Sequence, residues 1–597
     1  MSKTPYSGMG AIVGPEGVTF RVWAPHAEKV FITGSFNDWD DNIDEMEHED
    51  DGYWAFHHPN AKVNDEYKFA IQTPTGRIQK SDPYALKMTH SNGNSVVFDL
   101  YEGYETHDYE MPSMNKLVIY ELHVGTFNRE GLEENQVGNF CKAAEKLDYL
   151  KSLGINAVEI MPVMEFPGDH SWGYNPSFPF SVEGSYGGPE GLRHFVFESH
   201  IRGIAVIMDV VYNHFGPDDL DLWQFDGWQE NDLGGIYFYN DHRAKTPWGN
   251  NRPDYGREEV RNYLRDNAMM WLRGYQCDGL RFDATAIIRL LEGDTPDQQT
   301  QIEEGFQFLQ GLTEEIKREL PGKILIAEDL KMDPIVTLDT QSGGLGFHSQ
   351  WGTGFSHEIK QLLLEFDEQN RSLDNFAESI FKTFNGDSFQ RVIFTESHDE
   401  VANGSSRLPE EIQPGKADGE FAKKKSVLGA IALFTAPGIP MIFQGQEFLS
   451  DGYFRDDIPL DWSRSDIFDG LKNLYSDLIH LRLGLRDESV GLTGSLTSLM
   501  HFNNESSVMA FTRTHGDHPD RPVLVILNFS AQSHQGYRIG APSGGNWKVR
   551  FNSSWKGYDE EFAEMGQSEL SAEGGFEDFP HSLLFDISAF SGLILTY

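Results

Sequence analysis

From residue 116 onward the chain repeats one pattern, a short apolar run that ends in polar or charged residues and is followed by a stretch with helical periodicity. The runs are KLVIYELH (116–123), INAVEIMP (155–162), IAVIMDVVYNH (204–214), DGLRFDAT (278–285), KILIAEDL (323–330), RVIFTESHDE (391–400) and IPMIFQGQEF (439–448). The stretches between most of them are NFCKAAEKLDYLKSLG, PEGLRHFVFESHIRG, REEVRNYLRDNAMMWLRGY, IEEGFQFLQGLTEEIKREL and AKKKSVLGAIALFTA. Strands buried on both faces read as continuous apolar runs, and their alternation with helices predicts a parallel sheet. With a weaker sixth run at LGFHSQW (345–351), the pattern predicts an α/β fold closed into a (β/α)8 barrel over 106–489. Its segment 215–256, rich in Trp, Tyr, Asp and Gly, is too long for a plain connection and predicts a functional loop or small subdomain.

Both flanks change rhythm. Over 1–105, GVTFRVWAP, KVFITGSF, GYWAFHHP and DEYKFAIQT are short strand signals parted by turn residues, the pattern of a β-sandwich. In FNDWDD an aromatic stands among amides and acids, suited either to capping a loop or to stacking on a sugar. After a helix near 466–486, SSVMAFTRTH, RPVLVILNFS, NWKVRFNSS and SGLILTY predict a second β-sandwich over 490–597.

Composition narrows the partners. The chain carries 93 Asp plus Glu against 48 Lys plus Arg, a net charge of −45. That field repels nucleic acid and anionic membrane and leaves a neutral substrate indifferent. Two cysteines, Cys141 and Cys277, sit in no metal-like cluster and suit a reducing compartment. No signal-peptide core and no run of about 18 apolar residues is present, so the expected location is cytoplasmic.

Active sites of such barrels gather at the C-terminal strand ends. There the sequence places Asp209, Asn213 and His214, then Arg281 and Asp283, then Glu328, then His398 and Asp399. One charged strand end is an ordinary cap or ion pair. Four strand ends all bearing carboxylates are a site. In DGLRFDAT, alternation puts Gly279, Arg281 and Asp283 on one face and Leu280 and Phe282 on the other. The apolar pair suits the layer under the helices, so Arg281 and Asp283 face the barrel axis, and Asp278 at the strand entry takes a structural part. The guanidinium is expected to hold Asp283 ionised. An ionised carboxylate beside a protonated one, here Glu328, is the equipment for attack on a glycosidic bond. Asp209 and Asp399 add charge for an oxocarbenium-like transition state, and His214 and His398 can bond sugar hydroxyls. Trp172 and Tyr174, just past the second strand, can stack on a pyranose ring. Asn213 and the carboxylates could ligate calcium, but no spacing demands it, and no metal or cofactor is expected.

Together these residues resemble the α-amylase family of glycoside hydrolases and transglycosylases (glycoside hydrolase family 13). DVVYNH, GLRFDAT, IAEDL and ESHDE resemble its four conserved regions in order. The resemblance implies a retaining α-glucan-active enzyme. Asp283 would be the nucleophile, Glu328 the acid/base and Asp399 the transition-state stabiliser, with Arg281, Asp209, His214, His398 and Tyr174 around the attacked glucose. VFITGSFNDWDD, SHDEVANG and GQEF with PLDW look like glycogen branching enzymes, whereas VIYELHVGTFNREG, MPVMEFPGDHSWGYN and GSYGGPEGLRHF look as much like maltooligosyltrehalose trehalohydrolases. Asn403 stands where branching enzymes tend to carry a histidine. The expected activity is branching-type transfer on an α-glucan or maltooligosaccharide, with hydrolysis, of the trehalohydrolase or α-amylase kind, as the alternative. A non-catalytic glucan-binding relative would be expected to lack Asp283 or Glu328.

Overall fold

Eight parallel strands close into a barrel in the computed structural model, which describes residues 8–103, 109–293, 300–485 and 488–597. The strands are β1 (Ile119–Leu122), β2 (Ala157–Ile160), β3 (Ala205–Val210), β4 (Gly279–Phe282), β5 (Ile324–Ala327), β6 (Ser349–Trp351), β7 (Arg391–Ile393) and β8 (Ile439–Phe443). Each pairs with the next, and β8 pairs with β1. β6 has a weak sequence signal because it is short and carries polar Ser349 and Gln350.

Alternation along each strand divides two cores. Leu280 and Phe282 pack between sheet and helices, while Ile119, Ile207, Ile326, Trp351, Val392 and Met441 fill the barrel interior. Gly279 is required by close approach, since a Cβ there would come within 2.6 Å of Ile324. Asp278 clamps the strand entry: its carboxylate accepts from the Val206 N–H at 2.9 Å and lies 2.7 Å from His200 Nε2. The helices Gly188–Ile201, Glu258–Met269, Glu303–Glu319 and Glu420–Thr435 surround the sheet as their periodicity predicts. The 139–154 stretch splits into Phe140–Ala144 and Leu147–Leu153. Helices Thr353–Leu364 and Asp374–Phe381 were not legible in the pattern.

The N-terminal strands form two sheets, one ordered Gly10–Gly14, Gly17–Trp23, Tyr53–His58, Glu47–His48, the other built on Lys29–Gly34, Glu66–Thr73 and Gly76–Lys80. The expected boundary at 105/106 lies outside the described residues. C-terminally, a six-stranded sheet, from Leu496–Asn503 to Glu569–Ala572, is accompanied by the pair His534–Ala541 and His581–Ile587. Cys141 and Cys277 are both free. Among the described residues no helix is long and apolar enough to cross a membrane.

Much of 215–256 docks the N-terminal module onto the barrel. Trp228 stacks on His26 at 4.6 Å, Asp226 accepts from the His26 N–H at 2.9 Å, and Tyr237 meets Trp23 edge-on at 5.6 Å. The aromatics of LWQFDGW (222–228) are thus packed, Trp228 on His26, Phe225 on Tyr237 and Trp223 on Phe238.

Candidate active site

Arg281 organises the C-terminal mouth of the barrel. Register sets it opposite Asp209 on β3, and its side chain is fully buried. Nη1 donates to both Asp209 oxygens, at 2.9 and 2.7 Å, and to Asp283 Oδ1 at 3.0 Å. Nη2 lies 2.8 Å from Glu328 Oε2. The guanidinium also sits 4.3 Å over the Trp351 ring, so its face meets an aromatic and its edges meet carboxylates.

The turn after β4 fixes the two acids relative to one another. Ala284 adopts a left-handed backbone (φ +40°), a conformation that costs a residue with a Cβ about 1–3 kcal/mol and is retained where structure demands it. Its N–H is thereby aimed at Glu328 Oε2, at 2.9 Å. Thr285 holds the Glu328 carbonyl through its N–H (2.8 Å) and its hydroxyl (2.9 Å). Asn213 donates to Asp283 Oδ2 at 2.6 Å, and Arg281 bridges Asp283 and Glu328. The two acids thus stand side by side on one guanidinium.

Burial lifts Asp209, Asp283 and Glu328, and Arg281 pulls each back. Glu328 is raised by burial and further by Asp283, against Arg281. For Asp283 burial outweighs the guanidinium, and its net shift is upward, with Arg281 the largest opposing influence and Asn213 and Glu328 adding to it. Asp209 is pushed up to about 8 by burial, against Arg281. Asp399 stands at the exposed rim and accepts from the Asn403 amide at 2.8 Å.

The remaining expected residues form the walls. Tyr174 donates to Asp209 Oδ2 at 2.6 Å and stacks on the His398 ring at 5.0 Å. His214 lies 2.8 Å from the Tyr174 carbonyl and against Asn213 Oδ1, and burial keeps it neutral, at about 4. Trp172 packs on Phe454 at 5.4 Å and meets His398 edge-on. Trp248, from the long segment, stacks on His214 at 4.3 Å and is 46% exposed. Asn213 is committed to Asp283, and among the described residues no group of three His, Cys, Asp or Glu is arranged to hold a metal.

Two acids escaped the sequence reading. Glu121 and Glu159 are register partners on β1 and β2, buried beneath the site. The signal was present: each is a lone carboxyl inside an apolar strand, two residues after an inward residue, Ile119 or Ala157. Neither Glu159 oxygen has a hydrogen-bond partner among the described residues, and burial pushes the group up to about 8. Folded, Glu159 keeps its proton at pH values where the unfolded chain has lost it. The unfolded chain then binds fewer protons, so this group lowers stability progressively between about pH 4.5 and 8. Glu159→Gln is therefore expected to gain in Tm over the parent, by a margin that widens from about pH 5 to pH 8. A margin independent of pH, read by calorimetry, would contradict a protonated Glu159.

A closed barrel with this carboxylate–arginine constellation defines a class, and the chain belongs to the α-amylase family. Residues 125–222 and 221–468 match the family model for the α-amylase catalytic domain. Residues 8–85 match carbohydrate-binding module 48 (isoamylase N-terminal domain), and residues 500–597 the α-amylase C-terminal all-β domain. Among individual relatives, the chain is 31% identical over 595 residues to the 1,4-alpha-glucan branching enzyme GlgB of Oceanobacillus iheyensis, covering 95% of this chain and 90% of that protein. It is 32% identical over 563 residues to GlgB of Bacillus cereus, covering 91% and 84%. A pullulanase from an Anoxybacillus species, solved with maltotetraose, shares the fold at a TM-score of 0.76 and 21% identity, covering 99% and 88%.

Proposed function

We propose that the protein is a retaining α-glucan transglycosylase of the branching type, cleaving α-1,4 links and forming α-1,6 links. The observation that carries the chemistry is that one guanidinium, Arg281, holds Asp283 at 3.0 Å and Glu328 at 2.8 Å side by side, with Asn213 on the other Asp283 oxygen. Retaining glycosidic chemistry uses such a close pair, one group attacking the anomeric carbon while the other protonates the leaving oxygen. Asp283 is the nucleophile, and Glu328 gives its proton to the leaving chain, then takes one from the acceptor hydroxyl. Asp399, at the exposed rim, faces the positive charge that develops on the ring. Arg281, Asp209, His214, His398 and Tyr174 hold the attacked glucose, and Trp172 adds apolar wall.

The branching outcome is supported by the GlgB relatives, which match over more than nine-tenths of the chain. The match to a carbohydrate-binding module is in keeping with a polymeric glucan substrate. The test is incubation with amylose, following iodine colour, reducing ends and free trehalose together. Branching predicts falling iodine absorbance with few new reducing ends. Reducing ends that rise in step with colour loss would replace transfer by hydrolysis. Indifference to amylose with trehalose released from glycosyl-trehalose would make the enzyme a trehalohydrolase.

A further inference from the structure

Glu121 makes two contacts with one residue of the site. Its Oε2 accepts from the His398 backbone N–H at 3.0 Å, and its Oε1 lies 2.5 Å from His398 Nδ1. The carboxyl is 1% exposed, on β1 beside β8, and the contact spans the barrel mouth from β1 to the segment after β7. The groups that face it are Arg281 from β4, its register partner Glu159 from β2, His398 and Asp399 after β7, and Arg407 beyond them. Burial lifts Glu121 to about 8 against the pull of Arg281 and Arg407, while burial and Arg281 drive His398 well below its ordinary range. The pair shares one proton between Oε1 and Nδ1, and the upward shift of Glu121 with the downward shift of His398 favours its residence on Glu121.

We propose that Glu121 is a positioning residue that sets the tautomer of His398: its carboxyl donates to Nδ1, so the imidazole presents Nε2–H to a hydroxyl oxygen of the bound glucose. The part played toward glucose rests on the reading of His398 given above. The Tyr174 ring stacked on the imidazole keeps its plane, and a half-turn of the ring within that plane would forfeit the Nδ1–Oε1 contact. When alkali removes the Glu121 proton, the carboxylate becomes an acceptor. The remaining imidazole proton moves from Nε2 to Nδ1, and the face toward the sugar turns from donor to acceptor.

Glu121→Gln separates this from a packing role. Its amide NH2 donates to Nδ1 at every pH while its carbonyl accepts from the His398 N–H, so it locks the tautomer. Two-bond 15N–1H spectra of 15N-histidine-labelled protein, with His398→Gln for assignment, read the tautomer directly. The expected result is Nε2–H at pH 7, converting to Nδ1–H near pH 8 in the parent and pH-independent in Glu121→Gln. Nδ1–H at pH 7, or the same titration in both proteins, would overturn the proposal. On amylose, KM of the parent should rise about tenfold through that range with kcat less affected, the size of one lost hydrogen bond, while KM of Glu121→Gln stays flat. The spectra do not depend on turnover, so a chain inactive on amylose would defeat the transfer reading and still leave the tautomer decided.

Discussion

Asp283→Asn is expected to cut turnover of amylose by roughly 10^5-fold and to leave the fold as stable as the parent, or more so. Asparagine keeps the shape and can still accept from Asn213, but it is a poor nucleophile and needs no compensation for buried charge. Burial already raises Asp283, so the native site holds this carboxylate at a cost in stability, and the neutral residue relieves it. Glu328→Gln is the informative partner. It should cost about 10^2–10^4-fold on amylose, the usual weight of a general acid. On α-glucosyl fluoride, whose leaving group needs no proton, the first step should survive. Equal losses on both substrates would remove Glu328 from the acid role.

Arg281→Met should lose both stability and activity. The substitution leaves Asp209, Asp283 and Glu328 buried without their shared cation, which costs about 3–5 kcal/mol when one partner of a buried ion cluster is deleted. The pH dependence has a definite sign. Arg281 is the largest influence holding Asp283 down, so its removal raises Asp283 further and leaves less of the ionised nucleophile at pH 7. Residual activity of the variant should therefore climb as pH rises, over a range where the parent is already flat. Adding Asp209→Asn removes one unpaired acid and should restore part of the lost Tm without restoring turnover, a coupling that a double-mutant cycle reads. Independent effects of the two substitutions would contradict a shared guanidinium.

The sequence held much of this design because barrel chemistry follows strand parity. Alternation in DGLRFDAT was enough to turn Arg281 and Asp283 inward and to give Asp278 a structural part, and the buried clamp from Asp278 to the Val206 N–H bears that out. Apolar runs located seven strands plainly, and β6 faintly, since three residues with two polar side chains carry little periodicity. Long-range placement stayed hidden. Nothing local says that LWQFDGW packs on the N-terminal module while Trp248, twenty residues on from Trp228, reaches His214. The net rise of Asp283 was illegible for another reason: the guanidinium is visible in sequence, but the burial that outweighs it is not. Glu121 and Glu159 are lone carboxyls inside apolar strands, and their pairing across β1 and β2 is a long-range fact that no local pattern shows.

Trapping the intermediate tests the central claim most directly. A 5-fluoro-α-glucosyl fluoride slows departure from a retaining nucleophile more than arrival, so brief incubation and peptide mapping by mass spectrometry should find one fluoroglucosyl group on the peptide bearing Asp283, absent in Asp283→Asn and displaced by maltose. A label on any other residue, or none from a preparation that still remodels amylose, would contradict covalent catalysis at Asp283.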